Sequence, residues 1–160
     1  MQRITLLCVG KLKERFYAGA AAEYQKRLSR YCKLDVVELP EERLPEDPSP
    51  AQIEAALARE ASAIRGKLPP SATLAALCVE GRERSSEDLA GLLARWANRG
   101  ESRVVFLMGG SFGIHESLKA EAAEKLSMSR MTFPHHLARV MLLEQIYRAY
   151  QINAGTRYHK

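Results

Sequence analysis

Four short apolar runs punctuate the chain, each closed by a glycine, a proline or a charged cluster, with stretches of helical period between them. RITLLCV (Arg3–Val9) ends at Gly10, and residues 34–39 end at Pro40. Residues 73–79 run into Glu80, Gly81 and Arg82, and RVVFLM (Arg103–Met108) runs into Gly109, Gly110, Ser111, Phe112 and Gly113. Each run predicts a strand. Between the first two, Phe16, Ala20, Tyr24, Leu28 and Tyr31 recur at helical spacing and predict a helix over 16–31. An alanine-rich helix is expected over 51–67, stopped by Gly66 and the Pro69-Pro70 break. Ser85, Ser86, Glu87 and Asp88 fit a capping box, so a third helix starts there, continues through Leu89, Leu92, Leu93 and Trp96, and stops near Gly100. Residues 115–126 read as one regular helix. The stretch 40–50 holds four prolines among acidic residues and is expected to be a mobile surface loop.

Strands alternating with helices predict a single α/β domain with a mostly parallel sheet and helices on both faces. In such sheets ligands bind beyond the carboxyl ends of the strands. Three loops have that address: residues 80–82, 109–113 and 127–133.

A last helix is expected from about Pro134, which suits the first helical position, with Thr132 able to cap. Glu144, Gln145, Arg148 and Gln151 form one polar wedge on it. Val140, Leu142, Leu143, Ile146, Tyr147, Ala149 and Tyr150 cover most of the rest, a face too wide for one core. Burial on two sides follows, by the chain's own domain and by a second subunit. Arg139 projects inside the apolar wedge, with no carboxylate three or four residues away. A carboxylate, a set of carbonyls or an anionic ligand must meet it, which leaves an interface salt bridge and a substrate-facing role both open.

The 160 residues are 46% hydrophobic and 27% charged, ordinary values for a globular domain. Cys8, Cys32 and Cys78 are odd in number and far apart, which fits a reducing cytosol. No basic-apolar leader and no apolar run near the length of a membrane span is present, so a cytoplasmic protein is expected. The net charge of +5 favours a polyanionic partner, and basic residues cluster at Lys11, Lys13 and Arg15, at Lys26, Arg27, Arg30 and Lys33, and at the C-terminus. A solvated basic face would look the same.

Gly109, Gly110 and Gly113 let a phosphate or an adenosyl group approach backbone closely, although a tight turn also explains them. Their spacing matches neither GxGxxG nor GxxxxGK[ST]. His135 and His136 are adjacent and no further ligand spacing completes a metal set, so no metal is expected. There is no GxSxG elbow for a serine nucleophile. Tyr158 and His159 bring a stacking ring and a titratable imidazole to the chain end, where a frayed, functionless tail is the alternative.

Three segments, FLMGGSFGI (106–114), SMSRMTFPHHLARVMLLEQIYRAYQI (127–152) and the terminal YHK (158–160), together with ITLLCVGKLKE (4–14), carry a resemblance over essentially the whole chain. The chain resembles the bacterial 23S rRNA pseudouridine-N3 methyltransferases of the SPOUT superfamily. The resemblance implies a C-terminal deep trefoil knot, an exception to the rule against knots. It also implies a homodimer that uses S-adenosyl-L-methionine and methylates a pseudouridine in a stem-loop of 23S rRNA within the assembled ribosome. Cofactor contacts then fall on Leu77, Gly109, Met128, Ser129, Arg130, Met131, Thr132 and Phe133. His159, with Tyr158, is expected to approach the base from the partner subunit and aid proton removal, while Arg139 orients the nucleotide. The competing readings are a basic ribosome-binding factor that binds the cofactor without turnover, and a nucleotide-binding oxidoreductase.

Overall fold

Apolar residues dominate β1 (Arg3–Val9), where only Arg3 and Thr5 are polar, and β4 (Arg103–Met108) after Arg103, the composition of strands buried on both faces. In the computed structural model, which describes all 160 residues, they lie side by side in a five-stranded sheet. Chain order is β1, α1 (Arg15–Leu28), β2 (Lys33–Leu39), α2 (Pro50–Arg65), β3 (Thr73–Glu83), α3 (Ser86–Asn98), β4, α4 (Glu116–Glu121), β5 (Glu124–Ser127) and α5 (His135–Asn153). Sheet order is β2-β1-β4-β3-β5, and every pairing is parallel.

The two-residue alternation of a strand sorts the core into two layers. Ile4, Leu6, Cys8, Val104, Phe106 and Met108 pack with α1, α3 and α5. Leu7, Val9, Val105 and Leu107 pack on the opposite face with Ala61 and Ile64 of α2 and Leu118 of α4. Phe106 is wholly enclosed, so truncating it to alanine costs about 3–5 kcal/mol. Local signals start two of the helices. Ser85 and Asp88 exchange side-chain and backbone bonds at α3, and Ser49 and Gln52 do the same at α2, where Pro50 occupies the first turn.

The expected helix over 115–126 is a shorter helix followed by a fifth strand. Ala122 leaves helical geometry at ψ 137°, and the Ala123 N–H donates to the Leu74 carbonyl at 2.8 Å. Glu124, Lys125 and Leu126 then align with Ala75, Ala76 and Leu77. The third strand extends beyond Val79 to Glu83 by way of a bulge, so that Leu77 and Arg82 both register on Leu126. Gly81 is required there, since a Cβ would sit 2.8 Å from the backbone of Lys125 and Leu126. Arg84 closes this edge by donating to both Glu124 oxygens, at 2.6 and 3.1 Å.

Other boundaries also shift. The first helix ends at Leu28 rather than Tyr31, and Phe16 at its start is 69% exposed instead of contributing to the core. Pro134 is the residue before α5 and not its first turn, and no side chain caps that helix, Thr132 included. The acidic stretch is irregular, yet it is tied down. The Glu42 N–H donates to Glu60 at 2.8 Å, and Arg59 donates to Glu42 at 3.2 Å. Within the polar wedge of α5, Gln151 is buried. No helix is long and apolar enough to cross a membrane.

Candidate functional site

All five strands point the same way, so their carboxyl ends gather the connecting loops at one edge. There the end of β3, the glycine loop after β4 and the segment between β5 and α5 enclose a cleft of about 550 Å³. This is a usual size for a small-molecule site. Leu77, Gly109, Met128, Ser129, Met131, Thr132 and Phe133 all line it, while Arg130 is exposed and does not. Half of the 22 lining residues are hydrophobic, among them Phe112 of the expected 109–113 loop and Ile114 and Ala138, which lie outside the three expected loops.

The glycine loop is shaped by close approach. A Cβ on Gly109 would lie 2.3 Å from the Gly113 carbonyl oxygen, and one on Gly110 would lie 2.6 Å from the Glu41 carboxylate. Gly113 takes φ +84° and donates its N–H to the Gly110 carbonyl at 3.1 Å, so a tight turn is present. Glu41 holds the turn from outside by accepting the Ser111 N–H at 2.7 Å. On the other wall, Ser127 Oγ donates to the Ser129 carbonyl and Ser129 Oγ accepts the Met131 N–H, both at 3.0 Å. These serine turns fix residues 128–131, which follow β5 without regular structure.

Arg139 is 3% exposed and its partners lie within the chain. Nη1 donates to Glu38 Oε2 at 2.7 Å and Nη2 donates to the Gly10 carbonyl at 3.1 Å. The carboxylate that the helix itself lacks therefore comes from the end of β2. Burial opposes ionisation of Glu38, but the Arg139 hydrogen bond, the Leu12 N–H and the charges of Arg139 and Lys11 together hold its carboxyl below the ordinary value. The pair ties the start of α5 to the ends of β1 and β2.

The chain end is docked. The Tyr158 ring meets Tyr147 edge-on with centroids 4.9 Å apart, and the Arg148 guanidinium lies 4.9 Å from the Tyr158 centroid. Arg148 Nη1 donates to His159 Nδ1 at 3.1 Å. His159 Nε2–H therefore donates to Glu87 at 2.6 Å. Tyr158 and His159 thus lie over α3 and α5 of their own chain, and neither lines the cleft.

His135 does line it. Its ring stands perpendicular to that of His136, centroids 4.4 Å apart, and His136 Nδ1 is 3.1 Å from Glu14. A second hollow, of about 510 Å³, lies between α1, α3 and α5 and shares Leu126, Ser127 and Met128 with the first.

A parallel α/β domain with a cleft at its strand ends, walled by a glycine loop and a serine-turn loop, has its cavity at the address where such sheets bind small ligands. A model described as predicted SPOUT methyltransferase matches residues 2–159, and the chain belongs to that family. Its members generally use S-adenosylmethionine for methyl transfer. The fold is also that of the crystal structure of a probable methyltransferase from Bordetella pertussis Tohama I, at TM-score 0.59 and 16% identity, over 93% of this chain and 95% of that one. The cleft fits such a cofactor in its volume and its half-apolar lining.

Proposed function

We propose that this protein methylates N3 of a pseudouridine in a stem-loop of 23S rRNA, within the assembled ribosome, as a cytoplasmic homodimer with a knotted C-terminal segment. The observation that carries the reading is the meeting, in one cleft, of the loops whose motifs resemble that group of enzymes: Leu77, the turn at Gly109 and residues 128–133. Bound there, S-adenosylmethionine supplies a methyl group already activated on positively charged sulfur. The chain's own work is then alignment and removal of a proton. Gly109 and the backbone of residues 128–133 hold the adenosyl end, and Arg139 keeps the start of α5 in register with that wall through Glu38 and Gly10.

Dimerisation is supported by α5, where Val140, Met141 and Tyr147 stay only half buried while Leu142, Leu143 and Ile146 are enclosed. A second copy seated over that face brings its own Tyr158 and His159 toward the methyl acceptor. To do so, His159 must leave Glu87 and Arg148. The +5 charge of each chain, doubled in a dimer, attracts rRNA phosphates.

The test is transfer of label from methyl-labelled S-adenosylmethionine to ribosomes, isolated subunits and naked rRNA from cells lacking this modification. Label on assembled particles at one pseudouridine is expected. Cofactor binding with no label on any of the three would overturn the assignment in favour of a non-catalytic ribosome factor.

A further inference from the structure

The four histidines differ in what their rings already do. His115 accepts the Ser117 N–H on Nδ1 at 3.2 Å and lies 2.6 Å from Glu54 through Nε2, so it serves as a helix cap. His159 has both ring nitrogens engaged, by Arg148 and Glu87. His136 is held by Glu14. His135 alone has no hydrogen-bond partner on either nitrogen, and it alone lines the cofactor cleft. Its Nε2 lies 4.0 Å from where a Cβ on Gly10 would be, and Gly10, at φ +105°, puts no side chain into that space.

We propose that His135, at the start of α5, accepts the proton that leaves the methyl acceptor. This deepens the proposed function and rests on it. The acceptor's N–H bond breaks and its proton passes to the free imidazole nitrogen of His135. The electron pair left on nitrogen forms the bond to the methyl carbon as the methyl–sulfur bond breaks, and that bond's electron pair stays on sulfur, giving the neutral thioether. The imidazolium then loses its proton to water through the open cleft. The tail histidine, whose two nitrogens are held by Arg148 and Glu87, has no free nitrogen for that proton until it leaves them.

The surroundings of His135 keep it ready. Burial disfavours its charged form, the neighbouring His136 and Arg139 add to this, and Glu41 and Glu14 oppose it, with a net shift below the ordinary 6.5. It is therefore an unprotonated acceptor at neutral pH. The sign is fixed: activity is retained above the lowered value and falls as acid protonates the ring.

The experiment has two readouts. With the intact protein, diethyl pyrocarbonate modification mapped by mass spectrometry is expected at His135 ahead of His115 and His159, and S-adenosylhomocysteine is expected to slow it about tenfold. In the ribosome assay, His135→Asn and His135→Gln should retain S-adenosylhomocysteine binding within about threefold, lose about 10²–10⁴ in single-turnover rate, and lose the acidic limb of the pH–rate profile. His159→Gln should keep that limb. If wild type methylates but the His135 variants keep both rate and acidic limb, the assignment of His135 is wrong and the methyltransferase stands. If wild type transfers no methyl group, both fall together. Modification unaffected by S-adenosylhomocysteine would also overturn it, because His135 would then lie outside the cofactor's reach.

Discussion

Removing Glu38 should harm the protein more than removing Arg139, although the two form a single ion pair. The Arg139 side chain is 4% exposed and that of Glu38 32% exposed, so the partner left behind differs in each case. Glu38→Ala strands a buried guanidinium with only the Gly10 carbonyl and also frees the Leu12 N–H, at a cost of about 3 kcal/mol. Arg139→Met fills the space with apolar volume and leaves Glu38 half in water and still bonded to Leu12, which costs about 1 kcal/mol. For a chain of this length each kcal/mol shifts Tm by about 2–4 °C, so the expected drops are about 6–12 °C and about 2–4 °C. The double variant should sit near Arg139→Met alone. Because the folded-state pKa of Glu38 is depressed from 4.5, the pair's contribution is present above that value and is lost as pH falls through the folded value. Calorimetric melting of the four proteins between pH 3 and 7 measures all of this. Equal losses for the two single variants, or strict additivity in the double, would refute the reasoning.

Gly109→Ala forces the turn to open, since the Gly113 carbonyl oxygen lies 2.3 Å from the new methyl, and S-adenosylhomocysteine affinity by calorimetry should fall at least tenfold, about 1.4 kcal/mol. Arg84→Ala leaves the nearly buried Glu124 unpaired at the sheet edge and should cost about 3 kcal/mol in denaturant unfolding. Deleting residues 157–160 removes only surface contacts and should change stability by less than about 1 kcal/mol, yet abolish methyl transfer to ribosomes. Affinity for rRNA should fall steeply between about 50 and 200 mM salt in filter binding if phosphates supply the attraction.

Much of this was legible from local pattern. The apolar runs of β1 and β4 and the Ser85 capping box speak through neighbours in sequence, and the structure has them within a residue or two of where they are expected. The fifth strand was not legible. Its four residues, EKLS, follow a short helix, ESLKAE, of similar composition, and only pairing with β3 makes them extended. The partner of Arg139 was legible as a need but not as a residue, because Glu38 lies 101 positions away. The cleft's address followed from strand direction alone. The unpartnered state of the His135 ring was not legible, since nothing in sequence tells an engaged imidazole from a free one. The docked tail depends on Tyr147 and Glu87, whose proximity arises from the packing of α3 on α5.

The loops around Gly109 and residues 128–133 are proposed to form the methyl-donor site. Titration of isotope-labelled protein with S-adenosylhomocysteine, followed by amide NMR, tests it most directly. Shifts are expected to concentrate at Leu77, Gly109, Ser111 and residues 128–133. Shifts confined to the second hollow, at Tyr24, Ser86, Met141 and Glu144, would contradict the claim.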